Sequence, residues 1–102
     1  MAFDPVERVA LGRTGLSVTK LGFGGASIGG LFTAVSDEDA RGVVRRAWDI
    51  GIRYFDTAPL YGYGASERRI GDELRVEPRD SFVLSTKVGR LARSTTSGGA
   101  GV

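Results

Sequence analysis

The stretch of residues 51–67 joins a short strand pattern, a loop rich in glycine and tyrosine, and a helix start. Residues 52–55 are mostly β-branched or aromatic and are bounded by glycine and Pro59, which predicts a strand. Asp56 and Tyr61 follow at the strand's carboxyl end, where parallel α/β folds bind their ligands. A carboxylate and a phenol placed there can face one pocket. A turn-capping aspartate and a packing tyrosine explain the local pattern equally well.

The segment before this strand has the pattern of an amphipathic helix over 37–50. Ser36 is a favourable N-cap, and the three acidic residues after it suit the positive end of the helix dipole. Gly51 can adopt the left-handed conformation that ends a helix. One face is predicted to be buried because its apolar residues recur at helical spacing: Ala40, Val43, Val44, Ala47 and Trp48.

A second helix is predicted over 66–75. Ser66 is expected to be its N-cap. Ile70 and Leu74, one turn apart, are its expected inward pair, and Pro78 prevents its continuation. The charged residues of this helix are expected on a solvated face: Arg68, Arg69, Asp72, Glu73 and Arg75.

Three further segments complete the predicted order of elements. Residues 7–20 have the alternation of a β-hairpin with its turn at 12–15, while residues 20–25 and 81–88 have strand patterns. The order hairpin, β, α, β, α, β predicts an α/β fold with a parallel sheet and right-handed crossovers.

The strand at 52–56 is nearly continuously apolar, which is typical of a strand buried on both faces. Asp56 ends this strand, and Lys87 lies near the end of the strand at 81–88. Because the carboxyl ends of parallel strands share one edge of the sheet, we expect the carboxylate and the ammonium to lie close together.

The composition argues against several classes of function. The 102 residues carry a net charge of +2 with acidic and basic residues interleaved, which is too weak and too scattered for nucleic-acid binding. The chain has no cysteine and no histidine, so no disulfide, thiolate nucleophile or metal site is predicted. No secretory signal and no membrane-spanning apolar run is visible, so a cytoplasmic protein is expected.

Several motifs resemble those of the aldo-keto reductase family. In residues 51–67 a strand ends in Asp-Thr-Ala and a tyrosine follows shortly after. Residues 85–87, Ser-Thr-Lys, resemble the end of the family's next strand, and residues 21–25, Leu-Gly-Phe-Gly-Gly, resemble its first barrel strand. Residues 62–75 look closest to the sugar and pyridoxal dehydrogenase branch. The resemblance covers most of the chain, and its motifs are long and ordered.

The resemblance implies reversible hydride transfer between NAD or NADP and a small carbonyl or sugar substrate. In the family pattern Tyr61 would give a proton to the carbonyl oxygen. Lys87 would supply an ammonium that favours the phenolate, and Asp56 would pair with Lys87. The loop after the first strand approaches the nicotinamide in this family. Three small residues would leave room for it there: Gly24, Gly25 and Ala26.

The resemblance also implies a (β/α)8 (TIM) barrel, which takes about 250 residues. The chain is therefore expected to supply the N-terminal third of a barrel, as part of a longer protein or as a truncated gene product. It has no histidine for the fourth position of the family's catalytic pattern. Residues 92–102 have little to bury and are expected to form a flexible tail.

Other hypotheses remain open at the level of the sequence. The chain could be a catalytically inactive remnant, or a module that completes its sheet against a partner chain. A Rossmann dehydrogenase is a further alternative, which the lack of a well-placed Gly-x-Gly-x-x-Gly disfavours. The sequence predicts neither the substrate nor the oligomeric state.

Overall fold

The computed structural model describes residues 2–30 and 33–89, which form a two-stranded hairpin and a three-stranded sheet. The predicted order of elements is confirmed. The predicted tail at 92–102 lies outside the described residues. No helix in the described part of the chain is long and apolar enough to cross a membrane. The elements are β1 (Arg8–Ala10), β2 (Ser17–Thr19), β3 (Phe23–Gly24), α1 (Asp37–Asp49), β4 (Tyr54–Asp56), α2 (Ala65–Leu74) and β5 (Val83–Ser85).

The larger sheet has the order β3-β4-β5, and both of its pairings are parallel. The hairpin β1-β2 is antiparallel, with Val9 opposite Val18. In the parallel sheet, Asp56 lies between Gly24 on one side and Ser85 on the other. The carboxyl ends of the three strands therefore meet at one edge of the sheet, as the alternation of strands and helices predicts.

Helix α1 begins at Asp37, as the sequence predicts, and ends at Asp49, one residue before the predicted end. The Ser36 side chain accepts a hydrogen bond of 3.1 Å from the Asp39 backbone N–H, and Gly51 has a φ of 106°. The prediction that Val43 is buried is wrong, since Val43 is 49% exposed. It lies at the edge of the apolar stripe, on the surface that also carries Asp39 and Arg46. The helix buries a narrower stripe: Ala40, Val44 and Ala47.

Helix α2 begins one residue earlier than predicted, and Ser66 is not its N-cap. The N-cap is Gly64, in the left-handed conformation with a φ of 93°. Ser66 therefore lies in the first turn, where its side chain is fully buried and its Oγ is 2.6 Å from Thr57 Oγ1. Ile70 and Leu74 are buried as predicted.

The core lies between the helices and one face of the sheet, around Phe55, which is fully buried. The Phe55 ring has its centroid 5.8 Å from that of Phe23, 6.4 Å from Trp48 and 6.4 Å from Phe82. The opposite face of β4 carries Tyr54 and Asp56, which are only partly buried. Within the described residues the second face of β4 is therefore only partly covered, and the predicted burial on both faces is not observed there.

Charged side chains join the two helices. Arg45 contacts Glu73 at 2.7 Å and Glu77 at 2.7 Å, and Arg69 donates to the backbone carbonyls of Ile28 and Val35. The prediction of a fully solvated charged face on α2 is wrong for Arg69 and Glu73, whose side chains are only 12% and 15% exposed. Each is covered because its polar atoms are satisfied by partners on the neighbouring element.

Candidate active site

Asp56 and Lys87 meet at the carboxyl edge of the parallel sheet. Asp56 is the last residue of β4, and Lys87 lies two residues beyond the end of β5. Lys87 Nζ is 3.5 Å from Asp56 Oδ2, and the two side chains are 54% and 41% exposed. An ion pair this accessible contributes little to stability, so its geometry bears more on chemistry than on folding.

Tyr61 lies beside the same pair, on the loop between β4 and α2. The Lys87 ammonium is 4.9 Å from the centroid of the Tyr61 ring. The Tyr61 backbone is held at both polar atoms: its N–H donates to the Ala58 carbonyl, and its carbonyl accepts from the Ser66 N–H at 3.1 Å. The structure therefore places Asp56, Tyr61 and Lys87 around one point.

The charge of Lys87 is stabilised by its two neighbours. Interaction with the Tyr61 phenol, and then with the Asp56 carboxylate, raises the pKa of Lys87 above its ordinary value. Lys87 therefore remains an ammonium at neutral pH.

Two residues that sequence reasoning missed complete this cluster. Ser85 Oγ donates to Asp56 Oδ1 at 2.6 Å, and Tyr54 Oη is 3.1 Å from Ser85 Oγ. Because an ionised carboxylate only accepts, the Ser85 proton goes to Asp56, and the Tyr54 phenol donates to Ser85. Tyr54 and Asp56 are two residues apart, and so are Ser85 and Lys87. This spacing is the sequence signal that puts them on one face.

The loop that carries Tyr61 crosses closely over the turn at Ser27–Gly29. A Cβ on Gly29 would lie 2.6 Å from the Tyr61 carbonyl carbon, and a Cβ on Gly62 would lie 2.1 Å from the Gly29 carbonyl oxygen. Residues 62–64 all have positive φ. Both glycines are therefore required by the close approach of the two backbones.

The three small residues after the first barrel strand have different surroundings. A Cβ on Gly24 would have no neighbour within 4 Å, so the space in front of Gly24 is open. A Cβ on Gly25 would lie 2.6 Å from Ser66 Oγ and 2.8 Å from the Asp56 carbonyl oxygen, and the Gly25 N–H donates to that carbonyl. Packing within the fold therefore accounts for Gly25. Ala26 is partly buried and precedes the turn at Ser27–Gly29.

A shallow pocket of about 240 Å³ opens beside Tyr61 and Lys87. Its remaining wall is aliphatic and comes from the loop after β4 and from Val88. A small molecule with one polar group could lie there with that group at the phenol and the ammonium and its apolar part against the wall. The lining residues are Ala58, Pro59, Leu60, Tyr61, Lys87 and Val88.

Sequence comparison assigns residues 20–100 to the aldo/keto reductase family. The chain is 55% identical over 84 residues to the D-threo-aldose 1-dehydrogenase from a Pseudomonas species, a match covering 82% of this chain and 26% of the relative. It is 54% identical over 92 residues to the pyridoxal 4-dehydrogenase from Microbacterium luteolum, covering 90% of this chain and 27% of the relative. The chain thus spans about a quarter of the length of these curated relatives.

Structural comparison agrees with the sequence match. The holo form of the aldo-keto reductase AKR11C1 from Bacillus halodurans superposes with a TM-score of 0.78 at 33% identity, over 94% of this chain and 29% of that structure. A structure from Pseudomonas aeruginosa described as an aldo-keto reductase, PA4992, gives a TM-score of 0.66 at 41% identity, over 80% of this chain and 31% of that one. The predicted fold, the N-terminal third of a (β/α)8 barrel, is confirmed.

Proposed function

Because the chain belongs to the aldo/keto reductase family, we propose that it supplies the catalytic residues of an NAD(P)-dependent oxidoreductase. The reaction is the interconversion of a carbonyl and an alcohol in a small substrate: an aldehyde, a ketone or an aldose sugar. The observation that carries this proposal is the position of Lys87 Nζ, 3.5 Å from Asp56 Oδ2 and 4.9 Å from the Tyr61 ring centroid.

Each of the three side chains has a distinct role in the proposal. In the reductive direction Tyr61 gives its phenolic proton to the carbonyl oxygen of the substrate as that oxygen becomes an alkoxide. Lys87 stabilises the phenolate that remains, since it lies close enough for its charge to act directly. Asp56 holds the ammonium beside the phenol. In the oxidative direction the Tyr61 phenolate takes the proton back, with the same charges around it.

The carboxyl edge of the sheet suits a nicotinamide at one point in particular. Gly24 lies next to Asp56 in the sheet, and a Cβ at Gly24 would have no neighbour within 4 Å, so the backbone there leaves room for a ligand. We propose that Gly24, with Gly25 and Ala26 shaping the backbone beside it, forms this part of the cofactor site. When bound, NAD or NADP supplies or accepts the hydride. The three side chains act only on the proton: Tyr61 transfers it, and Lys87, held by Asp56, stabilises the phenolate that is left.

The pocket beside Tyr61 fits the substrate half of this proposal. Its polar groups are the phenol and the ammonium, and its aliphatic wall is formed by Pro59, Leu60 and Val88. A carbonyl oxygen at the polar end would receive the proton from Tyr61, while the carbon skeleton lies against the wall. The two curated relatives are named for an aldose and for pyridoxal. We extend to this chain the class that both belong to, small polar carbonyl compounds and their alcohols.

The test uses a barrel hybrid, in which residues 20–89 of this chain replace the matching segment of the D-threo-aldose 1-dehydrogenase. We expect the hybrid to oxidise the aldose. Its Tyr61→Phe variant should lose about 10²–10⁴-fold in kcat, the range for general acid–base groups. Lys87→Met should also lower kcat. The matched control is Tyr63→Phe, two residues from Tyr61 and 55% exposed. Full turnover by the Tyr61→Phe hybrid would place the chemistry elsewhere.

The chain of 102 residues alone should show no turnover of aldehydes or sugars with NADH, NADPH or their oxidised forms. The described part supplies three parallel strands, which do not enclose a nicotinamide or exclude water from it, and near-attack geometry needs both partners held. Robust turnover by the chain itself would contradict this expectation. An inactive hybrid that folds would favour the alternative of a catalytically inactive remnant.

A further inference from the structure

The Asp56 carboxylate is held from two sides by groups of different kinds. Ser85 Oγ donates to Oδ1 at 2.6 Å, while Lys87 lies 3.5 Å from Oδ2. Tyr54 reaches Ser85 from the same face, with 3.1 Å between Oη and Oγ. On the third side, β3 presents Gly24, which has no side chain. Among residues 2–30 and 33–89, the side chains in polar contact with this carboxylate are therefore the Lys87 ammonium and the Ser85 hydroxyl, and the Tyr54 phenol contacts that hydroxyl.

We propose that Ser85, oriented by Tyr54, is a positioning residue that fixes the Asp56 carboxylate with Oδ2 directed at Lys87. This inference rests on the proposed function, because the position of Lys87 matters only if its charge acts on Tyr61. Ser85 is not among the residues that line the pocket beside Tyr61, so it acts through Asp56 and not on the substrate.

The physical basis is the freedom that Asp56 would otherwise have. Its side chain is 41% exposed, and an exposed carboxylate rotates about its terminal torsion with little penalty. A short hydrogen bond from a hydroxyl to a carboxylate is among the stronger kinds, and it selects one orientation. The Ser85 hydroxyl is itself oriented because Tyr54 donates to it. Its own proton is then left for Asp56 alone.

The first test is direct observation of Lys87 by NMR in the full chain. Lys20 and Lys87 are the lysines of the sequence, so their side-chain signals can be assigned and titrated together. In Ser85→Ala the titration midpoint of Lys87 should fall by a few tenths of a pH unit, the scale of an exposed ion pair. Ser85→Thr, which keeps the hydroxyl, should restore it. Lys20, paired with Glu7, should not move.

A matched control is Thr86→Ala, which removes a hydroxyl from the neighbouring position. Thr86 Oγ1 donates to Glu67 and not to Asp56, so this variant should leave the Lys87 midpoint unchanged. A Lys87 midpoint that stays constant or rises in Ser85→Ala would overturn the inference, since a rise would mean that Ser85 competes with Lys87 for the carboxylate.

The second test measures catalysis in the barrel hybrid. Ser85→Ala should lower kcat about tenfold, the scale of one hydrogen bond to a charged group, with KM unchanged. Tyr54→Phe should lower kcat by less, and Ser85→Thr and Thr86→Ala should match the parent hybrid. Equal kcat in Ser85→Ala and Thr86→Ala would overturn the positioning role while Tyr61→Phe still reports on the proposed function. The two ideas therefore fail separately.

Discussion

Replacing Gly62 by alanine should both destabilise the fold and displace Tyr61. Gly62 has a φ of 69°, which alanine adopts at a cost of about 1–2 kcal/mol. Its new Cβ would also lie 2.1 Å from the Gly29 carbonyl oxygen, so one backbone must move away from the other. Overpacking of this kind costs about 1–3 kcal/mol. Together the two effects give a loss of about 2–5 kcal/mol in the free energy of unfolding.

Two matched variants separate these contributions. Gly64→Ala carries the backbone strain alone, because Gly64 has a φ of 93° and its Cβ would have no neighbour within 4 Å. Gly29→Ala carries the steric conflict alone, because its Cβ would lie 2.6 Å from the Tyr61 carbonyl carbon and Gly29 is not in the left-handed region. Gly62→Ala should therefore lose more stability than either of the other variants.

The assay is urea unfolding of the full chain followed by circular dichroism, with kcat measured on the same variants of the barrel hybrid. Gly29→Ala and Gly62→Ala should also lower kcat, by up to about 10²-fold if Tyr61 moves by 1 Å. Gly64→Ala should leave kcat near the parent value. If Gly62→Ala unfolds at the same urea concentration as Gly64→Ala, the close approach of the Gly62 and Gly29 backbones does not limit stability, which contradicts this prediction.

Three further predictions concern the helix side of the sheet. Arg45 lowers the pKa of Glu73 below its ordinary value of 4.5, so this ion pair stabilises the fold above that pH and no longer does so once the pH falls through the pKa of the folded state. Glu73→Gln should therefore lower the free energy of unfolding at pH 7 and have no effect in acid, as measured by unfolding at several pH values. Phe55→Ala should cost about 3–5 kcal/mol in thermal unfolding because the ring is fully buried, whereas Phe3→Ala, at a 68% exposed position, should cost little. Ser66→Ala should cost about 1–3 kcal/mol by leaving Thr57 Oγ1 without its partner, and adding Thr57→Val should recover part of that loss in the same assay.

The sequence predicts helix α1 well because the signals for it are local. A cap at Ser36 and a left-handed glycine at Gly51 each act within a few residues of the helix ends, and both are confirmed. The burial of Val43 depends instead on how much of the helix the sheet covers. Spacing alone shows which residues share a face, and not how wide the covered part of that face is.

Helix α2 shows a second limit of local reasoning. Ser66 has the chemistry of a cap, yet its hydroxyl pairs with Thr57, nine residues earlier in the chain. The left-handed run at 62–64 lets the helix begin before Ser66. The partly buried side chains of Arg69 and Glu73 show the same limit, since their hydrogen-bond partners lie on elements that are distant in sequence. Such pairings follow from tertiary structure and leave no mark on the helical period.

The cluster at the carboxyl edge was predictable in part, for a reason that lies in strand geometry. Parallel strands end at a common edge, so the positions of Asp56 and Lys87 at two strand ends are enough to expect them together. The link through Ser85 needs one more fact, the register that sets Ser85 opposite Asp56. A shift of one residue would set Leu84 or Thr86 there instead and direct the Ser85 hydroxyl to the helix side.

Successive side chains of β4 point to opposite faces of the sheet, so neighbouring residues serve either the core or the proposed site. Phe55 points into the aromatic core beneath the helices, while its neighbours Tyr54 and Asp56 face the other way, toward Ser85 and Lys87. The helix side buries apolar rings and fixes where the strand lies. The opposite side carries polar groups that are only partly buried in the described residues, so their pairing does little for the stability of this chain. A rigid strand with one buried face therefore presents its Asp56 carboxylate at a fixed position, where the Ser85 hydroxyl of β5 and the Lys87 ammonium beyond β5 contact it.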